Sequence, residues 1–349
     1  MNYSHKRVLV TGGAGFIGSE LVAQLAADGA EVTIVDTLTN GRRENVDGLL
    51  GKRVALAVGD IRDRETLSRL MEGVDMVFHL ACLGVRHSFH SPLENHEVNA
   101  TGTLNLLLSA REKGIKRFVH VSSSEIYGPA RSVPISEEHP AFPLQVYGAS
   151  KLAGEGYARA FYESYRYPTV VIRPFNTYGP RSHHEGDSGE VIPKFLLRSL
   201  AGRPLIIFGD GTQTRDFTYV SDTAKGILLA GLRDKVVGET INVGSSYEIS
   251  INDLAREVIA VTGRKDTRVQ YDAPRPGDTP RLYAETTKMT ELLDFKPQIS
   301  LREGLMKLKD WYLGLSVSPE KLLEEEVVHN WKNPSEKKDA SKRKVYSYR

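Results

Sequence analysis

Two residues of one predicted helix, Tyr147 and Lys151, have the types and the spacing that proton transfer requires. Four residues apart on a helix, their side chains lie on the same face. A lysine ammonium close to a phenol stabilises the phenolate, so Lys151 is expected to lower the pKa of Tyr147. Tyr147 is therefore a candidate general acid and base. The same spacing also occurs in helices that merely half-bury a tyrosine, so this interpretation depends on the chain upstream.

A glycine-rich turn near the start of the chain predicts a cofactor for such a site. The apolar residues 7–10 precede Gly12, Gly15 and Gly18, and residues 19–28 have helical character. A strand, a glycine turn and a helix in this order form the dinucleotide-binding pattern. The glycines permit a tight turn and let the backbone approach a pyrophosphate at the helix N-terminus.

Asp36 predicts that this dinucleotide is NAD. It follows the second predicted strand, residues 31–35. A carboxylate at this place can accept hydrogen bonds from the adenosine ribose and repels the 2′-phosphate of NADP. Arg42 and Arg43 follow and could bind such a phosphate instead, but the acid favours NAD.

The chain then continues to alternate between strands and helices. Strands are predicted over 54–58, 76–80, 118–121 and 169–172, and a helix over 94–113. Such repeats predict an α/β fold with a Rossmann-type doubly wound parallel sheet, whose ligands lie at the carboxyl ends of the strands. Asp60 and Ile61 stand at one strand exit, where an adenine edge could be read. His79 is interpreted as a core histidine and Cys82 as a small packing residue near the cofactor.

The second half has a more mixed pattern. We predict an NAD-binding Rossmann domain over 1–175 and a smaller C-terminal α/β substrate lobe over 176–315, interleaved with the first. Residues 316–349 are charged and lack an apolar period, which predicts a mobile tail. His183 and His184 lie beside acidic residues, but the side chains of adjacent histidines diverge, so no metal site is predicted.

The composition of the 349-residue chain excludes several classes of partner. The formal net charge is +2, so the overall charge points neither to nucleic acid nor to an anionic membrane. No run is long and apolar enough to span a bilayer. Cys82 is the only cysteine, which rules out an intrachain disulfide and fits a reducing compartment. We therefore expect a soluble cytoplasmic protein.

The glycine turn, the serines at 122–124 and the Tyr147–Lys151 pair together resemble the extended short-chain dehydrogenase/reductase family. Within it they resemble the nucleotide-sugar epimerases, dehydratases and decarboxylases, over about residues 6–312. The resemblance implies an NAD that is used and regenerated within one turnover of a nucleoside-diphosphate sugar. It also implies a homodimer, formed by the helices over 94–113 and 147–165 of both subunits.

The resemblance also implies roles for individual residues. Tyr147 takes the proton from the sugar 4-hydroxyl, Lys151 lowers the tyrosine pKa and binds the nicotinamide ribose, and Ser123 binds the reacting oxygen. From the residues alone, Ser122, Ser123 and Ser124 are not distinguished. The predicted cofactor-binding residues are Gly12, Gly15, Phe16, Ile17, Gly18, Asp36, Asp60, Ile61, Leu80, Ala81, Asn99, Ser122, Tyr147, Lys151 and Pro174. The predicted substrate-binding residues are Arg86, Ser123, Ser124, Asn176, Thr177, Val191, Phe208, Arg215 and Arg275.

The substrate residues indicate the kind of nucleotide. By similarity, Arg215 and Arg275 bind the diphosphate with the help of Asn176, and guanidinium forks suit diphosphate oxygens. Val191 and Phe208 would line the base pocket. These features look most like uridine-diphosphate binders, with thymidine diphosphate as the other candidate.

Glu125 bears on which reaction follows the oxidation. Family 4,6-dehydratases and glucuronate decarboxylases carry glutamate here, whereas simple 4-epimerases usually carry a small or neutral residue. A carboxylate beside C5 of a 4-keto sugar can remove an acidified proton and drive elimination. However, the familiar dehydratases have aspartate where this chain has Ser124. The decarboxylases have arginine where this chain has Leu282, with Arg281 one residue away.

Other segments favour an epimerase by a small margin. Residues 275–278 are more typical of epimerases, and residues 84–86 resemble a segment of uronate 4-epimerases, in which Arg86 with Thr177 could receive a sugar carboxylate. We therefore predict a UDP-sugar 4-epimerase. The alternative is an NDP-sugar 4,6-dehydratase or UDP-glucuronate decarboxylase that uses Glu125. A non-catalytic NAD-binding module is a remote third possibility, since such proteins commonly lose the tyrosine or lysine that this chain retains.

Overall fold

The computed structural model of the protein describes residues 2–186, 188–275 and 277–331. The strands are β1 (Arg7–Thr11), β2 (Glu31–Asp36), β3 (Val54–Val58), β4 (Met76–His79), β5 (Arg117–Val121), β6 (Thr169–Pro174), β7 (Asn176–Tyr178), β8 (Leu205–Phe208), β9 (Thr214–Tyr219), β10 (Thr240–Val243), β11 (Glu248–Ser250), β12 (Val269–Asp272) and β13 (Arg281–Leu282). The helices are α1 (Phe16–Ala27), α2 (Arg64–Leu70), α3 (Val85–His90), α4 (Pro92–His96), α5 (Gly102–Glu112), α6 (Val146–Tyr165), α7 (Val191–Leu200), α8 (Val220–Leu232), α9 (Ile251–Thr262), α10 (Thr287–Leu293), α11 (Leu301–Leu313) and α12 (Pro319–Leu322).

The main sheet is parallel throughout and confirms the predicted fold class. Its strands lie in the order β10-β6-β5-β4-β1-β2-β3. Every residue of β4, β5 and β6 is buried, as expected of strands covered on both faces. Apolar residues of α1 and α8 pack against one face of this sheet, and those of α5 and α6 pack against the other.

The order of the strands creates a crevice between β1 and β4. The chain proceeds outward from β1 to β2 and β3, and then crosses back to β4 on the other side of β1. In a doubly wound sheet, ligands bind outside the carboxyl ends of the strands at such a reversal. The glycine turn follows β1 at this point, and Leu80 follows β4. The backbone N–H of Leu80 donates to the carbonyl of Thr11 at 3.0 Å, so the two strand exits lie side by side.

The second lobe is built around β9, which pairs with β7, β11 and β13. The strands β8 and β12 form a separate parallel pair, and the apolar residues of α7, α9 and α11 form a core with β8 and β9. The chain returns to the main sheet at β10, which pairs with β6. The two parts of the chain are therefore interleaved.

Several predicted elements differ slightly from the structure at their ends. The helix predicted over 94–113 corresponds to a continuous helical segment over 92–112. In this segment a π-helical turn, Glu97–Thr101, joins α4 to α5. Helix α1 begins at Phe16, three residues earlier than predicted, directly after Gly15. His79 is a core histidine as predicted, since it is fully buried and both of its ring nitrogens lie 2.8 Å from threonine hydroxyls.

The predicted mobile tail over 316–349 differs from the structure in its first part. Residues 316–331 pack on the second lobe, where Leu323 joins its apolar core and Asn330 is fully buried. The side chain of Glu326 is also buried and binds Arg198 at 2.8 Å. Residues 332–349 lie outside the described residues. Among the helices of the described residues, none combines the length and apolar character that crossing a bilayer needs.

Candidate active site

A cavity of about 890 Å³ lies between the main sheet and the second lobe. Its wall includes all the predicted catalytic, cofactor-binding and substrate-binding residues except Asn99. These residues come from the exits of β1 to β6 and from segments of the second lobe. The fold therefore brings together groups that lie up to about 260 residues apart in the sequence, from Gly12 to Arg275.

The glycine turn makes room for a ligand backbone. Gly12 has a φ of 71°, and a Cβ on it would lie 2.6 Å from the backbone nitrogen of Ala81. A Cβ on Gly18 would lie 2.1 Å from the carbonyl oxygen of Gly12. Within the described chain, no side chain caps the N-terminus of α1 at Gly15. Its first N–H groups can therefore bind a pyrophosphate, as a dinucleotide requires.

Asp36 has the surroundings expected of a ribose-binding carboxylate. It accepts hydrogen bonds from the N–H groups of Ala14, at 3.0 Å, and Leu38, at 2.9 Å. Burial raises the pKa of Asp36, and these two hydrogen bonds oppose the rise. Arg42 and Arg43 are engaged elsewhere, in ion pairs of 2.9 Å with Glu185 and 3.0 Å with Asp47. The site thus fits NAD better than NADP.

Helix α6 presents Tyr147 and Lys151 to the cavity on one face. The ammonium of Lys151 is buried and donates a hydrogen bond of 2.6 Å to the carbonyl of Val121. This bond fixes the lysine against the end of β5, directly beside the serines that follow that strand. The cavity wall also contains Cys82, as predicted from its place after β4.

The pKa of Tyr147 departs from the sequence-based expectation. Burial raises it, Cys82 and Glu125 raise it further, and a hydrogen bond with Ser123 lowers it. Burial lowers the pKa of Lys151 itself, and its ammonium donates to the carbonyl of Val121. In this structure the Tyr147 phenol therefore holds its proton.

The three serines after β5 differ in their surroundings. Ser123 accepts a hydrogen bond of 3.2 Å from the N–H of Glu125 and caps a short 3-10 turn. The Ser122 hydroxyl is buried and has no hydrogen-bond partner among the described residues. Ser124 is buried at 3 % exposure. The three serines therefore differ in burial and in hydrogen bonding, a difference that the sequence alone does not show.

Glu125 lies on the cavity wall among cations. Burial raises the pKa of Glu125, whereas Arg215 and Arg86 lower it. Arg215 donates to the carbonyls of Thr214 and Thr279, both at 2.7 Å. The wall therefore holds a carboxyl group and fixed guanidinium groups in one region, which suits an anionic substrate.

Arg275 is held by aromatic rings. Its guanidinium carbon lies 4.7 Å from the ring centre of Phe208, within the range of a cation–π contact. Burial lowers the pKa of Arg275 to about 10, and Arg86 contributes to the change. The Nε of Arg275 and the Oδ1 of Asn176 are buried, and neither has a hydrogen-bond partner in the part of the chain that the structure describes. Both atoms are suited to a bound ligand.

Two predicted site residues, Asn99 and Thr177, form hydrogen bonds with other residues of the protein. The amide of Asn99 exchanges hydrogen bonds with the backbone of Leu83, at 2.8 and 3.0 Å. It therefore holds the loop after β4 rather than lining the cavity. The Thr177 hydroxyl lies on the wall but contacts the carbonyl of Phe175 at 3.2 Å and the Thr223 hydroxyl at 3.0 Å.

Gln145 and Glu190 are among the polar residues of the wall that sequence reasoning missed. Each directly precedes the first residue of a helix that carries predicted site residues. This position in the sequence could have identified both as candidates. Burial raises the pKa of Glu190 to about 7.

His183 and His184 both face the Glu185 carboxylate, at 3.0 and 3.3 Å. No cluster of metal-ligating side chains occurs within residues 2–186, 188–275 and 277–331.

Comparison with known proteins places the chain in one family. A family model described as GDP-mannose 4,6 dehydratase matches residues 9–308. The chain is 36% identical over 314 residues to a UDP-glucose 4-epimerase of Mycolicibacterium smegmatis, covering 89% of this chain and 99% of that protein. It is also 36% identical over 322 residues to a UDP-N-acetyl-alpha-D-glucosaminuronate decarboxylase of Bacillus cytotoxicus, covering 88% of this chain and 98% of that protein.

The fold matches that of a solved relative with a third activity. The dTDP-glucose 4,6-dehydratase DesIV of Streptomyces venezuelae, determined with NAD bound, has a TM-score of 0.82 and 34% sequence identity. The match covers 88% of this chain and 97% of that one. Epimerase, decarboxylase and dehydratase are thus similar to this chain to nearly the same degree. The choice among the three reactions therefore depends on the residues of the cavity.

Proposed function

The chain belongs to the extended short-chain dehydrogenase/reductase family of NAD-dependent nucleotide-sugar epimerases, dehydratases and decarboxylases, and on this premise we propose that it is a UDP-sugar 4-epimerase. It is an enzyme of this family, with NAD as its cofactor and a nucleotide sugar as the class of substrate. The non-catalytic alternative is therefore set aside. The three reactions of the family differ in the fate of the oxidised sugar.

The proposal rests on the residues at positions 124 and 282. At these two positions the dehydratases and the decarboxylases carry the acid and the arginine that their reactions need. Ser124 occupies the place of the dehydratase acid, and its buried hydroxyl is too weak an acid to protonate a departing 6-hydroxyl group. Leu282 occupies the place of the decarboxylase arginine and packs at 2 % exposure in an apolar cluster with Ile126 and Tyr127. With neither group in place, the 4-keto sugar is expected to be reduced again rather than cleaved.

The side chains of the cavity support the first step in the following way. Tyr147 exchanges a proton with the sugar 4-hydroxyl, and Ser123 binds the same oxygen. Lys151 holds the end of β5, next to Ser123, through its hydrogen bond to the carbonyl of Val121. NAD, when bound, would supply the acceptor for the C4 hydride. The oxidation step requires the Tyr147 phenolate, which takes the 4-hydroxyl proton, and the return of the hydride requires the phenol, which is the state in this structure. Inversion at C4 then requires only that the sugar turn between the two hydride transfers.

The cations of the cavity support a diphosphate substrate. Arg215 is fixed by two carbonyls and by an ion pair with Asp278 at 2.5 Å, and Arg275 by aromatic rings, so both can bind phosphate oxygens with little loss of side-chain freedom. Arg86 lies close enough to Glu125 to lower its pKa. We assign Arg86 to the sugar end of the cavity, where a hydroxyl or a carboxylate would be its partner. The two compared relatives with uridine nucleotides in their names support UDP over dTDP.

A lyase is the second candidate, and Glu125 is the observation that favours it. The carboxyl lies on the cavity wall close to Tyr147, whose pKa it raises. A base at this place could remove the proton on C5 of a 4-keto sugar. The raised pKa of Glu125 would make it a stronger base than an exposed glutamate.

We also propose a homodimer formed through α4, α5 and α6. The support is that these helices pack side by side and expose apolar side chains on or next to them, including Phe89, Leu93 and Val146. Exposed apolar side chains on neighbouring helices are typical of protein–protein contacts. The mass of the protein in solution, measured by light scattering, tests the proposal. The cytoplasmic location stays a prediction from the sequence.

Mass spectrometry of the products distinguishes the candidate reactions. The purified protein is incubated separately with UDP-glucose, UDP-GlcNAc, UDP-glucuronate and dTDP-glucose, and the sugar configuration is read by NMR. An epimerase gives a product of unchanged mass with the opposite configuration at C4. Loss of water or of carbon dioxide with any of the four substrates would contradict the epimerase and establish a lyase.

A further inference from the structure

The last described residues, 326–331, form a segment that we call the C-terminal strap. It lies beyond residues 9–308, the part of the chain that the family model matches. Glu326 binds Arg198 at 2.8 Å, and the Val327 carbonyl accepts a hydrogen bond of 2.9 Å from Lys194. Both partners belong to α7, the helix that begins at Val191 on the cavity wall. The strap is therefore anchored to the helix that borders the predicted base pocket.

The strap ends in two aromatic side chains that pack on Phe208. The ring centre of Trp331 lies 4.7 Å from that of Phe208, at an interplanar angle of 88°. His329 lies 5.8 Å from Phe208 and binds Asp272 at 2.9 Å. The edge-to-face pair of Trp331 and Phe208 is attractive beyond the area that it buries. Phe208 thus packs against two residues of the strap.

Arg275 is held by the same group of rings. Its guanidinium carbon lies 4.7 Å from the ring centre of Phe208 and 5.4 Å from that of Trp331. Phe208 and Arg275 line the cavity, whereas Trp331 is not among the described residues that line it. A buried guanidinium is costly to desolvate, and contact with two aromatic rings offsets part of that cost. Trp331 therefore bears directly on the position of a cavity cation.

We propose that the C-terminal strap is part of the nucleotide site and that Trp331 is a positioning residue, which fixes Arg275 and Phe208 for the diphosphate and the base. The inference rests on the proposed function, since it takes the partner of these two residues to be a nucleoside diphosphate. Its chemistry is specific: a flat base beside Phe208 and phosphate oxygens on Arg275. Loss of the indole should weaken nucleotide binding and leave the proton and hydride steps unaffected.

The test compares Trp331→Ala with Trp331→Phe in the full chain. Isothermal titration with UDP should show affinity about tenfold weaker in W331A, because a desolvated cation–π contact is lost, and largely restored in W331F. The KM for the nucleotide sugar should rise in W331A by a similar factor, with kcat retained. Trp311→Phe is the matched control, since Trp311 is the other tryptophan of the chain and lies outside the cavity wall. Its affinity for UDP should equal that of the wild type.

A second measurement does not depend on the folding of W331A. In W311F, Trp331 is the only tryptophan, so saturating UDP should change its fluorescence. An unchanged emission, or a W331A variant with wild-type affinity for UDP, would overturn the inference while leaving the proposed function intact. A variant that loses kcat and thermal stability at constant KM would assign Trp331 a purely structural role. Wild-type protein that binds none of UDP, dTDP, GDP and ADP would refute the proposed function and this inference with it.

Discussion

The guanidinium of Arg281 binds the carboxylate of Glu248 through two hydrogen bonds, 2.7 Å from Nε to Oε1 and 2.6 Å from Nη2 to Oε2. The two residues belong to β13 and β11, the strands on either side of β9. Half of the Arg281 side chain is exposed, and this residue is not among the described ones that line the cavity. The arginine nearest to the decarboxylase position is therefore committed to a surface ion pair.

Replacing Arg281 by alanine is expected to leave turnover nearly intact. The change removes one exposed ion pair and no group of the cavity, so kcat/KM should stay within about twofold of the wild type. Glu248→Ala removes the other partner and should have the same small effect. Initial rates with the preferred nucleotide sugar provide the measurement. A loss of about a hundredfold in R281A alone would mean that Arg281 enters the cavity during the reaction, as a decarboxylase would require.

Replacing Glu125 by glutamine separates the epimerase from the lyases. Oxidation and reduction at C4 need Tyr147 but no base at C5, so E125Q should retain epimerisation within about tenfold. An elimination that uses Glu125 as its base would instead fall by a factor on the order of 10² to 10⁴. Tyr147→Phe is the control, because it removes the proton carrier of every candidate reaction. If E125Q were as inactive as Y147F, Glu125 would be the catalytic base and the epimerase proposal would fail.

Local sequence patterns were sufficient to place most of the predicted cofactor-binding residues on the cavity wall, and their role in binding NAD stays a prediction. Strand, glycine turn and helix are local patterns, and the backbone of Gly12 and Gly18 has little room for any other residue. Asp36 and Lys151 are likewise placed by the strand or helix that carries them. The substrate residues come from distant loops, so their convergence could be expected only from the resemblance to a family.

Two features depend on contacts that no local pattern reveals. The amide of Asn99 could hydrogen-bond either to a ligand or to the protein itself. Only the fold shows that its partner is the backbone of Leu83. The charge-rich segment after residue 316 looked mobile because its partners are remote. Lys194 and Val327, for example, are bonded across 133 positions of the sequence. A charged segment can thus pack when buried partners such as Arg198 neutralise it.

The pKa of Glu190 predicts a pH dependence of substrate binding. Burial raises this pKa to about 7, His183 opposes the rise and Glu185 adds to it. Below about pH 7 the carboxyl is neutral, whereas above it an anion faces the cavity that receives the diphosphate. Substrate binding thus favours the protonated form, so affinity is highest at low pH and falls as pH increases. We expect KM to rise by about two- to tenfold between about pH 6 and pH 8.

Glu190→Gln tests the assignment of that dependence. The amide keeps the size of the side chain and does not ionise near neutral pH, so KM of E190Q should stay at its low-pH value across the range. The measurement is the pH profile of KM in parallel with that of kcat. A profile in E190Q that still rises through about pH 7 would assign the effect to another group, with His183 as the nearest candidate.

The helix that carries Tyr147 and Lys151 is anchored by a buried ion pair between Glu155 and Arg173. Their closest atoms lie 2.7 Å apart and the two side chains are 0% and 3% exposed. Glu155→Gln leaves a buried guanidinium without its counter-charge, so the free energy of unfolding should fall by about 3–5 kcal/mol. Glu163→Gln on the same helix is the matched control, because its 3.3 Å pair with Arg166 is exposed and should contribute at most about 1 kcal/mol. Urea unfolding of both variants provides the comparison, and equal losses would show that the buried pair does not anchor the helix.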